Sequence, residues 1–434
     1  MKFQIYVQQS FTIFLGDSIL KMSEEKIDRP DWITVPYLEN SLQKGLNFPN
    51  LKILKCDISH ATAVGDHYAS IMLRGSLVIR KTEKKEENLS IIIKIPPAGS
   101  FAEKTSDLKP FAREIKMFTK TLPVSHQILK KAFPNHEKFY AECYFSEEKT
   151  IQETILILED LRQSGFTLGD RFRGLDFDHT TLVLKSLAKL HASSLIYIDN
   201  DPDPISLYDI YVWTHESEDL CNSIFKKGVG VIAEAIKTWE NEPRKDVYYR
   251  KMKALEEVVV EKLINIFARD DTKLNVICHG DCWCNNMMFR YDKNNKVNGI
   301  KFLDFQICHY NNPALDLNYF IFTSSKNRFT NVDALLEIYY NTFIETLDKA
   351  NYQLKKPFTL QILKDEFKNK LFYGLITTLC ILPITMADPS DAPKLDDMLD
   401  EDRKEDGSTK VYRSKKFSEL LKVALPFFEK HGVF

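Results

Sequence analysis

The pattern His279-Gly280-Asp281, followed after four residues by Asn286 and further on by Asp304, joins residue types that together can move a phosphoryl group. Each acidic position follows a short apolar run: Val276-Ile277-Cys278 before the first, Phe302-Leu303 before the second. An attacking hydroxyl needs one carboxylate to orient it and take its proton. The phosphates need an amide oxygen and a second carboxylate to hold a divalent cation, because the transferring group is stabilised mainly by position and charge. Asp281 fits the first task, and Asn286 with Asp304 fits the second.

Such a loop works only if other elements bring a nucleotide to it. Ile91-Ile92-Ile93-Lys94-Ile95 is a β-branched run closed by Pro96-Pro97, which predicts a strand with one charge inside it. A lysine there is costly unless paired, so Lys94 is expected to meet an anion. Pro110 opens a helix start, and Glu114 on that helix is the expected partner, aiming Lys94 at the α- and β-phosphates. On its own, Glu114 reads first as an ordinary solvated helix residue; Lys94 and the downstream motif favour the paired role. Upstream, Gly65 lies in a strand–turn–strand pattern suited to laying N–H groups over phosphates, although one glycine is as consistent with a plain hairpin. Ile155 to Leu158 reads as a buried strand turning acidic at Glu159-Asp160-Leu161, which suits a hinge whose main chain reads an adenine edge.

With these pieces in place the chain resembles the ecdysteroid kinase-like, or CHK kinase-like, proteins of insects, relatives of choline kinases and aminoglycoside phosphotransferases. The resemblance runs over about positions 30 to 430. It is carried by Gly65-Asp66-His67-Tyr68, Lys94, Phe111 with Glu114, Leu158 to Leu161, and Leu187 to Ala192. It continues through His279 to Phe289, Leu303 to Gln306, and Pro313 to Phe320. It implies an α+β, two-lobed protein-kinase-like fold, ATP and Mg²⁺ as cofactors, and a small-molecule alcohol as acceptor. It also implies that Lys94 contacts phosphates, Asp281 is the catalytic base, Asn286 and Asp304 hold the metal, and His279 and Asp316 brace the loop. Asp66 stands where the family often has Glu, and Cys284 where a β-branched residue is common; neither change removes a reacting group.

The layout gives an expected leader over 1–30, a strand-rich nucleotide-binding N-lobe over 31–160, and a mainly helical C-lobe with catalytic loop and acceptor site over 161–434. Met22 is a second candidate start. Leu184, Leu187, Ala188, His191 and Leu195 share one helical face, with His191 read as a core residue. Helices are expected at about 245–268, 333–350, 358–387 and 412–431. Lys81 to Asn88 reads as a solvated hairpin tip, and 388–410 as an exposed loop that could serve as a lid.

Composition narrows the partners. The 59 basic and 61 acidic residues among 434 leave a formal charge of −2, with no basic excess to neutralise nucleic acid. No apolar run is long enough for membrane insertion. No motif sets an oligomeric state. The eight cysteines make no disulfide framework in so long a chain, and a kinase reading implies a reducing, cytoplasmic setting. Cys278, Cys282, Cys284 and Cys308 beside His279 and His309 raise zinc, but no Cys-x2-Cys pair is present and small apolar packing is the expectation.

The long, mostly helical stretch between hinge and Asp281, and the lack of an Ala-Pro-Glu segment after Asp304, favour a small-molecule kinase over a protein kinase. A hydrophobic alcohol such as an ecdysteroid is the expected acceptor, with a choline-type amino alcohol as the alternative and a nucleotide-binding pseudokinase behind it. Trp213, Tyr211, Trp239, Trp283, Tyr319 and Phe320 are the expected aromatic contributors to the acceptor pocket.

Overall fold

The computed structural model describes residues 29–61, 70–82, 85–97, 106–150, 153–388 and 407–434. The expected leader up to residue 28, the Gly65 turn and positions 389–406 of the expected loop lie outside them.

Strand alternation builds the first lobe. A five-stranded antiparallel sheet runs in the order β1-β2-β3-β5-β4. Its strands are β1 (Lys52–His60), β2 (Ile71–Thr82), β3 (Lys85–Ile95), β4 (Cys143–Glu148) and β5 (Thr154–Glu159). Ile91, Ile93 and Ile95 of β3 and Ile155 and Ile157 of β5 bury one face against helix α1 (Val35–Gly45). The opposite parity sends Ile92, Lys94, Leu156 and Leu158 to the other face, toward the second lobe. Lys94 sits opposite Leu156 in the β3–β5 register. Thus one strand both packs the sheet and delivers a cation to the cleft.

Helix α2 (Pro110–Lys116) begins with Pro at its first turn, passes through a π-turn at Met117–Thr121, and continues as α3 (Leu122–Ala132). Beyond the hinge and short strand β6 (Thr167–Leu168), the second lobe is helical. The long α4 (Phe177–Asn200) buries His191 with the apolar stripe read from sequence. It is followed by α5 (Lys227–Lys237) and α6 (Lys245–Phe267), which pack on each other. The segment holding His279, Asp281, Asn286 and Asp304 is carried by β7 (Val276–Cys278), β8 (Met287–Tyr291), β9 (Val297–Phe302) and β10 (His309–Asn311). Helix α7 (Ala314–Ser324) is buried along every face, and α8 (Val332–Lys349) packs against α4. Among the described residues no helix is long and apolar enough to cross a membrane.

Three local expectations change. Of the run expected as a loop, Lys81–Thr82 and Lys85–Asn88 are strand, and Arg80–Glu86 and Lys81–Glu87 pair across the hairpin at 2.7 and 3.0 Å. The helix expected over 358–387 is broken into Leu360–Asn369, Leu371–Ile376 and a shorter piece after a π-turn at Thr377–Ile381. At the far side of the expected loop, Gly407–Tyr412 is helical, with Val411 and Tyr412 buried.

Candidate functional site

The pairing of two strands below the cleft also brings Asn286 and Asp304 together. β8 and β9 pair antiparallel with Met287 opposite Phe302, and Leu303 N–H donates to Asn286 O at 2.9 Å. Asn286 just before β8 and Asp304 just after β9 therefore emerge at the same end. Asp304 has φ of 59°, a left-handed backbone that an aspartate adopts only at a cost, which turns its carboxylate into the cleft.

There Asp304 meets Lys94. Lys94 Nζ is 3.0 Å from Asp304 Oδ1 and 2.7 Å from Glu114 Oε2, and Glu114 Oε1 also accepts the Phe305 N–H at 3.2 Å. Lys94 and Glu114 are buried. Burial alone would favour a neutral amine, but the Asp304 and Glu114 carboxylates outweigh it and raise the Lys94 pKa above its ordinary value.

The loop holding Asp281 is fixed from beneath. Asp316, in the first turn of α7, accepts the His279 N–H at 2.6 Å and the Gly280 N–H at 2.9 Å. His191 Nε2 lies 3.0 Å from the same carboxylate, and its Nδ1 is 2.8 Å from the Tyr339 hydroxyl. Burial would raise the Asp316 pKa; the His191 hydrogen bond and the surrounding histidines hold it down to about 2. Gly280 has φ of 85°, and a Cβ there would stand 2.2 Å from Ile307 O, so only glycine fits. His279 Nε2 is 3.0 Å from Leu303 O while its Nδ1 accepts the Asp281 N–H at 3.3 Å, a neutral tautomer tying the loop to the Asp304 segment.

Asp281 is held at both carboxylate oxygens. Asn286 Nδ2 donates to Oδ2 at 2.8 Å, and the Tyr319 hydroxyl donates to Oδ1 at 2.6 Å. Burial first, then the Asp304 charge, push Asp281 up to about 6, against the hydrogen bonds from Tyr319, Asn286 and the Trp283 side chain.

A cavity of about 460 Å³ lies between the lobes. Met72, Ile92, Leu158 and Met288 give it apolar walls, and Lys94, Glu114, Asn286 and Asp304 line it as well. Glu159 and Leu161 line it too, and among the described residues the Leu161 N–H has no protein partner. The Glu159 side chain is occupied in scaffolding: Ser164 donates to Oε1 at 2.6 Å and the Glu142 N–H to Oε2 at 3.2 Å. Asp160 ties the hinge to the sheet through Arg74 at 2.8 Å and Ser90 at 2.7 Å.

Lys94, Glu114, Asn286 and Asp304 thus share one cavity, Asp281 joins them through Asn286, and His279 and Asp316 support the loop. Of the expected aromatics, Tyr319 touches Asp281, while Trp239 and Phe320 are buried in the helical core. Cys278, Cys282, Cys284 and Cys308 are buried. His191, Cys278 and Asp316 cluster closely enough for a metal, but both nitrogens of His191 and both oxygens of Asp316 are already engaged. Sequence reading missed the bond from Tyr319 to Asp281; its signal was the spacing of Asp316 and Tyr319 on one helix face.

A family model described as the ecdysteroid kinase-like family matches residues 64–352, well over half of the chain. No curated protein matches it. Among solved structures the chain is similar to a choline kinase from Cryptosporidium parvum Iowa II, at 13% identity and TM-score 0.44, over 92% of this chain and 96% of that one. It is similar to an ethanolamine kinase from Plasmodium vivax at 12% identity and TM-score 0.41, over 87% and 84%. An aminoglycoside phosphotransferase from Streptomyces rimosus, in complex with ADP and streptomycin, matches at 12% identity and TM-score 0.34, over 79% and 98%.

Proposed function

The chain belongs to the ecdysteroid kinase-like family and is a small-molecule kinase, and on that premise we propose that it transfers the γ-phosphoryl group of ATP to a hydroxyl of a small hydrophobic alcohol such as an ecdysteroid. The observation that carries the reading is the convergence on one cleft of a lysine held by two carboxylates, Glu114 and Asp304, with the hydrogen-bonded pair Asp281 and Asn286.

In this reading residues 31–160 form the nucleotide-binding lobe and 161–434 carry the loop and the acceptor site. The free Leu161 N–H and the Glu159 main chain meet the adenine edge, and Lys94 meets the phosphates. The Gly65 turn is proposed to cover those phosphates from above. Asn286 spends its amide N–H groups on Asp281, which leaves its carbonyl oxygen, and Asp304 adds a carboxylate oxygen. Two hard oxygen donors in one cavity fit Mg²⁺, and these residues would hold it. Bound there, the ion supplies charge neutralisation on the phosphates.

Asp281 then accepts the acceptor hydroxyl proton as that oxygen bonds to the γ-phosphorus and the bond to the bridging β–γ oxygen breaks, releasing ADP. Its position in the supported loop suits this task, and the neutral donors around it leave it the carboxylate aimed at the acceptor. The near-balanced net charge supports an uncharged acceptor over a polyanion. The unpaired state of all eight cysteines supports a reducing compartment such as the cytoplasm.

Purified protein incubated with Mg·ATP and a panel of ecdysteroids, other steroid alcohols, choline, ethanolamine and phenols tests this. A phosphate monoester of a steroid-sized alcohol is expected. Preferential phosphorylation of choline or ethanolamine would move the acceptor class to amino alcohols, and phosphorylation of protein substrates alone would end the small-molecule reading.

A further inference from the structure

Helix α7 does more than brace the backbone of the catalytic loop. Three residues beyond Asp316, which holds His279 and Gly280, the same helix presents Tyr319 to the side chain of Asp281. The phenol donates to Oδ1 at 2.6 Å, within the range of a charge-assisted O–H···O⁻ bond. Its ring is 6% exposed and packs against Tyr373. Burial, with the charge of Asp281, pushes the phenol well above its ordinary pKa, so it serves there only as a donor. On the other oxygen, Asn286 Nδ2 donates to Oδ2 at 2.8 Å and also reaches Asp281 O at 3.0 Å.

The terminal torsion of an aspartate is broad, so each hydrogen bond to its oxygens narrows the orientations it samples. Asn286 holds Oδ2 by a single hydrogen bond, and the Trp283 side chain also reaches the carboxylate. Tyr319 supplies the tie on Oδ1 from a buried, helical position on the same helix as Asp316, so with Asn286 on Oδ2 the carboxylate is held at both oxygens. We propose that Tyr319 is a positioning residue for phosphoryl transfer, its phenol holding the Asp281 carboxylate in one orientation for the acceptor hydroxyl. The inference rests on Asp281 being the base. Tyr319 keeps its own proton throughout: the acceptor proton goes to Asp281, and the phenol oxygen neither gains nor loses a bond.

Tyr319→Phe removes one oxygen and keeps the ring against Tyr373, so folding is preserved, and thermal unfolding of the variant checks it. Loss of a hydrogen bond to a charged group should lower kcat about 10- to 100-fold, with KM for ATP within about twofold of wild type. In the Asp281→Asn background the same change should cost less than about threefold, because the carboxylate it positions is gone. Wild-type or increased kcat in Tyr319→Phe would overturn the proposal, an increase marking the phenol as an occluding group. An undiminished loss in the double variant would also overturn it, as a general packing effect. Asp281→Asn at wild-type rate would sink the base assignment itself, whereas a slow Asp281→Asn beside an unaffected Tyr319→Phe would sink only the role of Tyr319.

Discussion

Lys94 and Glu114 meet in a buried ion pair, Nζ to Oε2 2.7 Å, although one comes from the third strand of the sheet and the other from a helix outside it. Asp304 approaches the same ammonium from the other lobe at 3.0 Å. The two lobes are therefore joined electrostatically at the point where a nucleotide's phosphates would compete for Lys94. Replacing Lys94 by Met leaves Glu114 and Asp304 facing each other without a cation. Breaking a buried pair in this way should cost about 3–5 kcal/mol of stability and abolish detectable ATP binding. Denaturant unfolding and calorimetric titration with a non-hydrolysable ATP analogue measure both. Glu114→Gln should be milder in both, because Asp304 still holds Lys94.

Asp304→Ala separates metal binding from proton transfer. Without this carboxylate, affinity for Mg·ATP and turnover should fall together, by about 10²-fold or more. A Mg²⁺ titration of activity should show a much higher half-saturating concentration. An unchanged Mg²⁺ requirement would remove Asp304 from the metal site.

Gly280→Ala forces a side chain into a left-handed backbone against Ile307 O, 2.2 Å from the new Cβ. The backbone penalty alone is about 1–2 kcal/mol, and relieving the overlap must move the loop that carries Asp281. Turnover should drop more than stability does, read by comparing kcat with the unfolding midpoint.

Acid should weaken the fold through His309. Burial first, with Arg113 and His191 adding to it, holds this histidine neutral to about pH 4 against the pull of Asp316 and the Ile307 carbonyl. The unfolded chain binds the proton near pH 6.5, so this residue leaves stability unchanged above that pH. Below it, stability falls until pH reaches about 4. The loss through His309 should be about 2 kcal/mol between pH 7 and pH 5. His136, also held down to about 4 by burial, acts in the same direction. Denaturant unfolding of wild type and His309→Gln at the two pH values should show a shallower pH slope in the variant.

Much of this was legible before any coordinates. Lys94 stood out because one charge in an apolar strand needs a partner, and period-two alternation does place it on the cleft face while its neighbours fill the core. The stripe from Leu184 to Leu195 marked a buried helix for the same kind of reason. What escaped was decided by contacts between distant segments. The charged run after Arg80 looks like a loop until Glu86 and Glu87 are seen opposite it on the partner strand. The break at Lys370 in the helical stretch over 358–387 carries no proline or glycine signal, whereas Pro383 stands at the start of its last piece. Tyr319 reaches Asp281 across 38 positions of sequence, and only its i, i+3 spacing from Asp316 on one helix face hints at it.

The central claim is that Asp281 takes the proton of an acceptor hydroxyl during transfer from ATP, and the most direct measurement is single-turnover phosphorylation of the best acceptor by wild type and Asp281→Asn side by side. Mass spectrometry of the product and quantitation of ADP should show a phosphate monoester and equimolar ADP for wild type. The variant should be slower by about 10²–10⁴, with ATP affinity unchanged within about threefold. Equal rates for the two proteins, or ADP released with no phosphorylated acceptor, would contradict it.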